Sequence, residues 1–250
     1  MAIPCRVLSH STADGASNMA LDEALLDSVA ADPSAAVVRT YGWTEPTLSL
    51  GYFQSFAEAE AEPRWSGVPI VRRPTGGGAL WHDHEVTYAV VVPADHPASR
   101  PSRALYVTIH QAIANHLRSL GFEAGRRGVT NVATDPPDKP FLCFADRDAD
   151  DVVLNGIKLV GSAQRRRSGA VLQHGSLLLG RSTTTPELPG LADLAGSIGD
   201  AATWGATLVE LIAVALGLPA VRDRLRPEES TGAASLSRTR YTDFSWTCRR

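Results

Sequence analysis

The period of the apolar positions changes along the chain, and each change marks an element. Over 17–30, SNMALDEALLDSVA, the residues Met19, Leu21, Leu25, Leu26 and Val29 recur at helical spacing. Ser17 or Asn18 is placed to cap this helix, with Asp22 and Glu23 near its positive end. AVVRTYGW (36–43) and TLSLGYF (47–53) read as strands around a Glu45-Pro46 turn, and GVPIVRR (67–73) as a short buried strand that runs into three glycines. WHDHEVTYAVVV (81–92) alternates and then turns wholly apolar. In 104–121, Leu105, Ile109, Ile113, Leu117 and Leu120 return to helical spacing, and Gly121 is placed to stop the helix.

The stretch 123–151 is rich in Pro, Gly and Asp and reads as a long loop containing Cys143. After it, VVLNGIKLVG (152–161) is two apolar runs joined by Asn155-Gly156, a pair that tolerates the positive φ angles of a type I′ hairpin turn. AVLQHGSLLLG (170–180) supplies the next strand, and ATLVELIAVALG (206–217) a helix ended by Gly217. The last thirty residues are polar, with Tyr241, Phe244 and Trp246 as anchors. The expectation is an α+β fold with packed helices on a mixed or antiparallel β-sheet, organised as one domain over 1–218 and a polar appendage over 219–250.

Composition narrows the function classes. A chain of 250 residues with 44% hydrophobic and 20% charged residues can bury a sizeable core. Its net charge of −3 argues against general nucleic-acid binding, so any basic patch is local. The first residues lack a basic-then-apolar signal, and about 18 apolar residues never run together, so a cytoplasmic protein without membrane contact is expected. Cys5, Cys143 and Cys248 are widely spaced, read as free thiols, and suggest no metal site.

Two segments carry candidate chemistry. In IVRRPTGGGALWHDHE, Gly76, Gly77 and Gly78 follow a strand and two arginines, so the backbone can approach a ligand and offer unhindered N–H groups. The spacing fits neither a Walker nor a Rossmann loop. A plain glycine turn is the competing reading, with Arg72, Arg73 and His82 tilting the choice toward a site. In NGIKLVGSAQRRRSGAVLQHG (155–175), Lys158 alternates with Ile157 and Leu159 and points either to solvent or into a cleft. The small residues Gly161, Ser162 and Ala163 mark close approach by backbone or ligand, and His174-Gly175 repeats the pattern on the next strand. His174 is either a satisfied core histidine or part of the site. Cys143 is either inert or a nucleophile activated by nearby positive charge, which Asp146, Asp148, Asp150 and Asp151 would oppose if close.

Together, ASNMALDEALL, RTYGWTEPTLSLGYFQ, VRRPTGGGALWHDHEVTYAVVVP and NGIKLVGSAQRRRSGAVLQHGSLLL resemble the biotin/lipoate protein ligase superfamily over roughly residues 7 to 180. Within it, Cys143-Phe144 fifteen residues before Lys158, and HDHEVTYAVV, look most like the LipM-type octanoyltransferases, with lipoate-protein ligase A second. The resemblance implies a BPL/LplA/LipB-like catalytic domain with Cys143 and Lys158 as catalytic residues. It implies substrate contacts from Arg73, Gly76, Gly77, Gly78, Ala79, His82, Gly161, Ser162, Ala163, His174 and Gly175. The implied donor is octanoyl-acyl carrier protein, and the acceptors are lipoyl domains or glycine-cleavage H protein. A transferase needs no cofactor; a lipoate ligase would need ATP and Mg. An amidotransferase and a non-catalytic acyl-binding relative share the scaffold. The implied tunnel for the acyl chain lies along the VVL, LV and VL strands, and Arg72, Arg73 and Arg165 to Arg167 would form a basic surface for acidic partners, with a solvated charge run as the alternative for the last three.

Overall fold

The computed structural model describes residues 3–128, 140–167 and 169–250. In chain order the strands are β1 (Cys5–Leu8), β2 (Ser11–Ala13), β3 (Ala36–Trp43), β4 (Thr47–Leu50), β5 (Ile70–Arg72), β6 (Leu80–His82), β7 (Glu85–Pro93), β8 (Ala124–Arg126), β9 (Val152–Leu154), β10 (Ile157–Arg167), β11 (Ala170–Leu178) and β12 (Ala220–Asp223). The helices are α1 (Gly15–Ala31), α2 (Phe56–Ala61), α3 (Ala104–Ser119), α4 (Leu191–Ala195), α5 (Ala201–Ala215), α6 (Pro227–Leu236) and α7 (Phe244–Thr247). The larger sheet runs β12-β1-β3-β7-β11-β10-β9-β8, with β2 beside β3. β12, β1 and β3 are parallel and the rest of the path is antiparallel, giving the expected mixed α+β fold. A small sheet, β5-β4-β6, stands apart.

Both faces of the large sheet are covered, which is why β7 is buried along its whole length. Val86, Tyr88, Val90 and Val92 point to one face and pack with Leu105, Ile109, Ile113 and Leu117 of α3 and with Leu208 and Ile212 of α5. Ala89 and Val91 point to the other and meet Met19, Leu25, Leu26 and Val29 of α1. Gly121 (φ 91°) and Gly217 (φ 68°) end α3 and α5 as expected. Leu120, counted with the apolar stripe, is half exposed beyond the last turn.

α1 begins earlier than its apolar pattern suggests. Asp14 is the N-cap, accepting from the Ser17 N–H at 2.7 Å, while Asn18 donates to the carbonyls of Ala13 and Gly42. Asp22 and Glu23 are therefore mid-helix, buried, and paired with residues far away in sequence rather than with the helix dipole. Glu23 accepts from Tyr241 at 2.7 Å and Arg240 at 2.5 Å. Residues 219–250, expected as a polar appendage, supply β12 at the edge of the large sheet and α6 against α1, with Arg6 binding Glu229 at 2.5 Å. The loop expected over 123–151 contains β8 at its start; residues 129–139 of it lie outside the described residues.

Candidate active site

The hairpin forms as expected, with Asn155 (φ 52°) and Gly156 (φ 78°) at its turn. Two residues on, the β9–β10 register shifts between Lys158 and Val160, a bulge that interrupts simple alternation. The Lys158 side chain is only 8% exposed, so it takes the cleft and not solvent. Its Nζ lies 2.9 Å from the Cys143 carbonyl oxygen, 3.9 Å from Cys143 Sγ and 3.0 Å from Asp151 Oδ2. Burial works against the ammonium, but the Cys143 sulfur and the Asp151 carboxylate outweigh it and hold Lys158 above its ordinary value. Gly161 makes room for this fold-back, since a Cβ there would sit 2.7 Å from Lys158 Cε. Gly161→Ala should displace the ammonium and lower activity about 10²-fold, the scale of a 1 Å misplacement, and should also lower the melting temperature because buried Asp151 loses its cation; parallel assays of turnover and thermal unfolding check this.

Cys143 is placed by the glycine block. The Ala79 N–H donates to Phe141 O, and the Cys143 N–H donates to Ala79 O, both at 2.7 Å. A Cβ on Gly78 would come within 3.0 Å of Cys143 N and Phe141 O, so the third glycine lets the two loops lie side by side. Arg73 organises the triplet from beneath: Nη2 donates to the carbonyls of Gly76 and Gly78 at 2.9 and 2.5 Å, and Nη1 to Ser49 O at 2.9 Å. The acidic neighbours Asp146, Asp148, Asp150 and Asp151 line one chamber with Cys143, and all but Asp146 are ion-paired among the described residues. Asp148 pairs with Arg103, Asp150 with both Arg103 and Arg126, and Asp151 with Lys158.

Two chambers meet at Cys143 and Ser162. One is lined by Met19, Tyr41, Leu80, His82, Gly161, Ser162, Ala163, His174 and Gly175 among others. The other is polar and is lined by Gly77, Gly78, Tyr106, His110, Lys158 and aspartates of 146–151. Most of the expected site residues therefore converge. Gly76 and Ala79 line neither chamber and act through their backbones, as loop anchor and as tie to the Cys143 loop. The expected strands β10 and β11 do line the first chamber, but through small and polar residues and not their apolar runs: Val152, Leu154, Leu159, Val160 and Val171 face the core, and the larger apolar lining comes from Met19, Tyr41 and Leu80.

The histidines are held by partners the sequence does not announce. His174 Nδ1 contacts Asp22 Oδ2 at 2.8 Å and Nε2 contacts Thr75 Oγ1 at 2.7 Å, tying α1 to the loop before the glycines. Asp22 also accepts from Arg39 and from Tyr41. His82 bridges Glu85 Oε1 (2.5 Å) and Ser49 Oγ (2.8 Å) and stacks on Trp43 with centroids 3.7 Å apart. His110, which the sequence reading overlooked, donates from Nδ1 to the Asp150 carbonyl at 2.6 Å, leaving Nε2 to accept from Ser162 Oγ at 2.8 Å. Its helical spacing beside core residues gave it no signal beyond burial. Most of the expected basic surface does not form: Arg72 is fully buried and donates to the carbonyls of Thr247, Gly51 and Gln54, Arg73 is buried under the glycines, Arg166 donates to the carbonyls of Ser99 and Ser102, and Arg167 pairs with Glu23 and Asp27, which leaves Arg165 without an ion pair among the described residues.

Burial drives the His110 imidazole down to about 4. The unfolded chain takes up this proton near pH 6.5 and the folded chain only near 4, so stability falls as pH drops through that window, by about 3 kcal/mol for this group. His82, lowered by burial, and Asp22, held low by Arg39 and His174 against its burial, act in the same direction; Asp151, pushed up by burial, opposes them. Denaturant titrations at pH 7 and pH 4.5 should show the loss, and His110→Gln should reduce it.

The fold, with a glycine loop over a buried lysine, places the chain in a family of catalytic domains. The chain belongs to the family described as "Lipoyl protein ligase A/B catalytic domain", whose model matches residues 14–185. It is 35% identical over 274 residues to the octanoyltransferase LipM of Kyrpidia tusciae, a match covering 98% of each chain. To the octanoyltransferases LipM of Carboxydothermus hydrogenoformans and Moorella thermoacetica it is 39% and 41% identical over 70% of its length, and these matches span 64% of each relative. Among solved structures it superposes on lipoate-protein ligase A bound with ATP (TM-score 0.77, 24% identity, 98% and 99% of the two chains). It also superposes on a bipartite lipoate protein ligase from Thermoplasma acidophilum (TM-score 0.74, 21% identity, 98% and 96%). At that identity the likeness is one of fold. No described helix is long and apolar enough to cross a membrane.

Proposed function

We propose that the chain transfers an octanoyl group from the thioester of an acyl carrier protein to a lysine of lipoyl domains or of glycine-cleavage H protein, through a thioester on Cys143. The observation that carries this reading is the Lys158 ammonium, 3.9 Å from Cys143 Sγ and 2.9 Å from the carbonyl of the same residue. The Cys143 thiolate attacks the octanoyl carbonyl, and the carrier's thiolate leaves. The acceptor lysine's amine then attacks the new thioester, losing a proton as Cys143 leaves as thiolate and an amide forms. A thioester is exchanged for a thioester and then for a more stable amide, so the sequence needs no ATP. In this reading Lys158, 3.9 Å from Cys143 Sγ, stabilises the thiolate and the negative charge that develops on the attacked carbonyl oxygen. Gly77 and Gly78, which line the polar chamber with Cys143, are the candidate backbone N–H donors to that oxygen. Met19, Tyr41 and Leu80 give the first chamber its apolar surface for the chain, each buried methylene contributing roughly 0.8 kcal/mol.

The test is to supply the protein with octanoyl-acyl carrier protein and apo H protein without ATP and measure octanoyl on the acceptor. Transfer under those conditions supports the reading. Modification that appears only with free lipoate and ATP would make the protein a ligase instead.

A further inference from the structure

In place of the surface expected from Arg72 and Arg73, a different cationic patch assembles beside the glycine loop. The guanidinium of Arg249 lies 4.0 Å from the Tyr52 ring centroid, with Arg165 at 5.3 Å and Arg250 at 5.8 Å; Arg250 is also 5.3 Å from the Phe53 centroid. Phe53 and Phe244 are each 70% exposed, and Arg249 and Arg250 are exposed. Solvent-facing aromatics of this size around unpaired charge are a poor choice for a bare surface. Among the described residues no carboxylate lies within salt-bridge distance of the three arginines, and Arg165 Nε is buried without a hydrogen-bond partner. Tyr52 reports the field: Arg249, ahead of Arg165 and Arg250, holds its phenol below the ordinary value.

The patch is built, because the chain end is tied to the catalytic loop. Arg72 donates to Thr247 O at 2.6 Å, Trp246 Nε1 donates to Arg72 O at 2.9 Å, and the Phe56 N–H donates to Arg250 O at 2.8 Å. Tyr52 N–H in turn donates to Thr75 O at 2.8 Å, and a Cβ on Gly76 would lie 3.9 Å from the Phe53 ring. The glycines one residue on line the polar chamber with Cys143 and Lys158. The patch thus flanks the glycine-loop side of that chamber.

We infer that Tyr52, Phe53, Phe244, Arg165, Arg249 and Arg250 form the docking face for the acidic protein that delivers the acyl thioester, an inference that rests on the transfer reaction proposed above. Charge decides between the two protein substrates. A carrier protein brings an acidic surface and a phosphodiester-linked arm, both complementary to guanidinium groups held on aromatic faces. The acceptor brings a lysine ammonium, which is drawn instead to Asp146, a carboxylate without an ion pair among the described residues that lines the same chamber.

The experiment titrates octanoyl-acyl carrier protein into Cys143→Ser protein, which cannot turn over, with and without Arg249→Glu/Arg250→Glu. Charge reversal should weaken binding at least about tenfold and flatten its salt dependence, while Arg249→Lys/Arg250→Lys stays within about threefold. Unchanged affinity in the glutamate variant, an equal loss in the lysine variant, or a loss confined to the lipoyl acceptor would overturn the inference. The reaction itself is read separately, from acylation of wild-type protein by octanoyl-pantetheine, a donor with no protein surface: if that fails, the transfer reading fails, whatever the titration shows.

Discussion

Lys158→Met should lower octanoyl transfer by about 10²–10³-fold, the scale of losing one preorganised group that stabilises developing charge. The loss should fall on formation of the acyl-enzyme, because Nζ faces Cys143 Sγ and its carbonyl and not the far end of the acyl chamber. Asp151 complicates the variant. It is 6% exposed and held by Lys158 at 3.0 Å, so removing the lysine leaves a buried carboxylate unpaired, a change that typically costs about 3–5 kcal/mol. Lys158→Met/Asp151→Asn removes that burden. The double variant should regain stability and not activity, and single-turnover acylation beside denaturant unfolding separates the two effects.

A stability effect of the same size is expected at Asp22. Its carboxylate is fully buried and joins Arg39 (2.7 Å), His174 (2.8 Å) and Tyr41 (2.9 Å). Arg39 is 2% exposed and its one other side-chain bond, among the described residues, goes to Asn18 O. Asp22→Ala would strand this guanidinium in the core, and unfolding free energy should fall by about 3–5 kcal/mol. Asp22→Asn keeps the shape and part of the hydrogen bonding and should lose less. Because His174 holds Thr75 ahead of the glycine triplet, the asparagine variant should also show reduced activity while folded; equal activity would confine Asp22 to the core.

How much of this was legible in the sequence depended on whether the signal was local. The Asn155-Gly156 turn, the strand after it and the α3 helix are written in near-neighbour residues, and all three form. Lys158 was ambiguous, since alternation alone gives it solvent or cleft; the β-bulge and the absence of a side chain at Gly161 decide the matter, and neither shows in a pattern. Asp22 and Glu23 looked like dipole-complementing carboxylates because helix position was the only partner in view. Their real partners, Arg39, His174, Arg240 and Tyr241, stand 17 to 218 residues away. Arg72 and Arg73 misled for the same reason: adjacent arginines suggest a surface, yet both spend their donors on backbone carbonyls of loops that need fixing. The polar C-terminal residues gave no hint that Thr247 and Arg250 would bond to β5 and to the start of α2.

The central claim is that the acyl group passes through Cys143. Intact-mass measurement of the protein after brief exposure to octanoyl-acyl carrier protein, without ATP or acceptor, tests it most directly. The account predicts one octanoyl group on the wild-type chain, located on the Cys143 peptide, released by hydroxylamine and passed to apo H protein when that is added, and none on Cys143→Ser. Octanoylation of the acceptor by Cys143→Ser at the wild-type rate would contradict it.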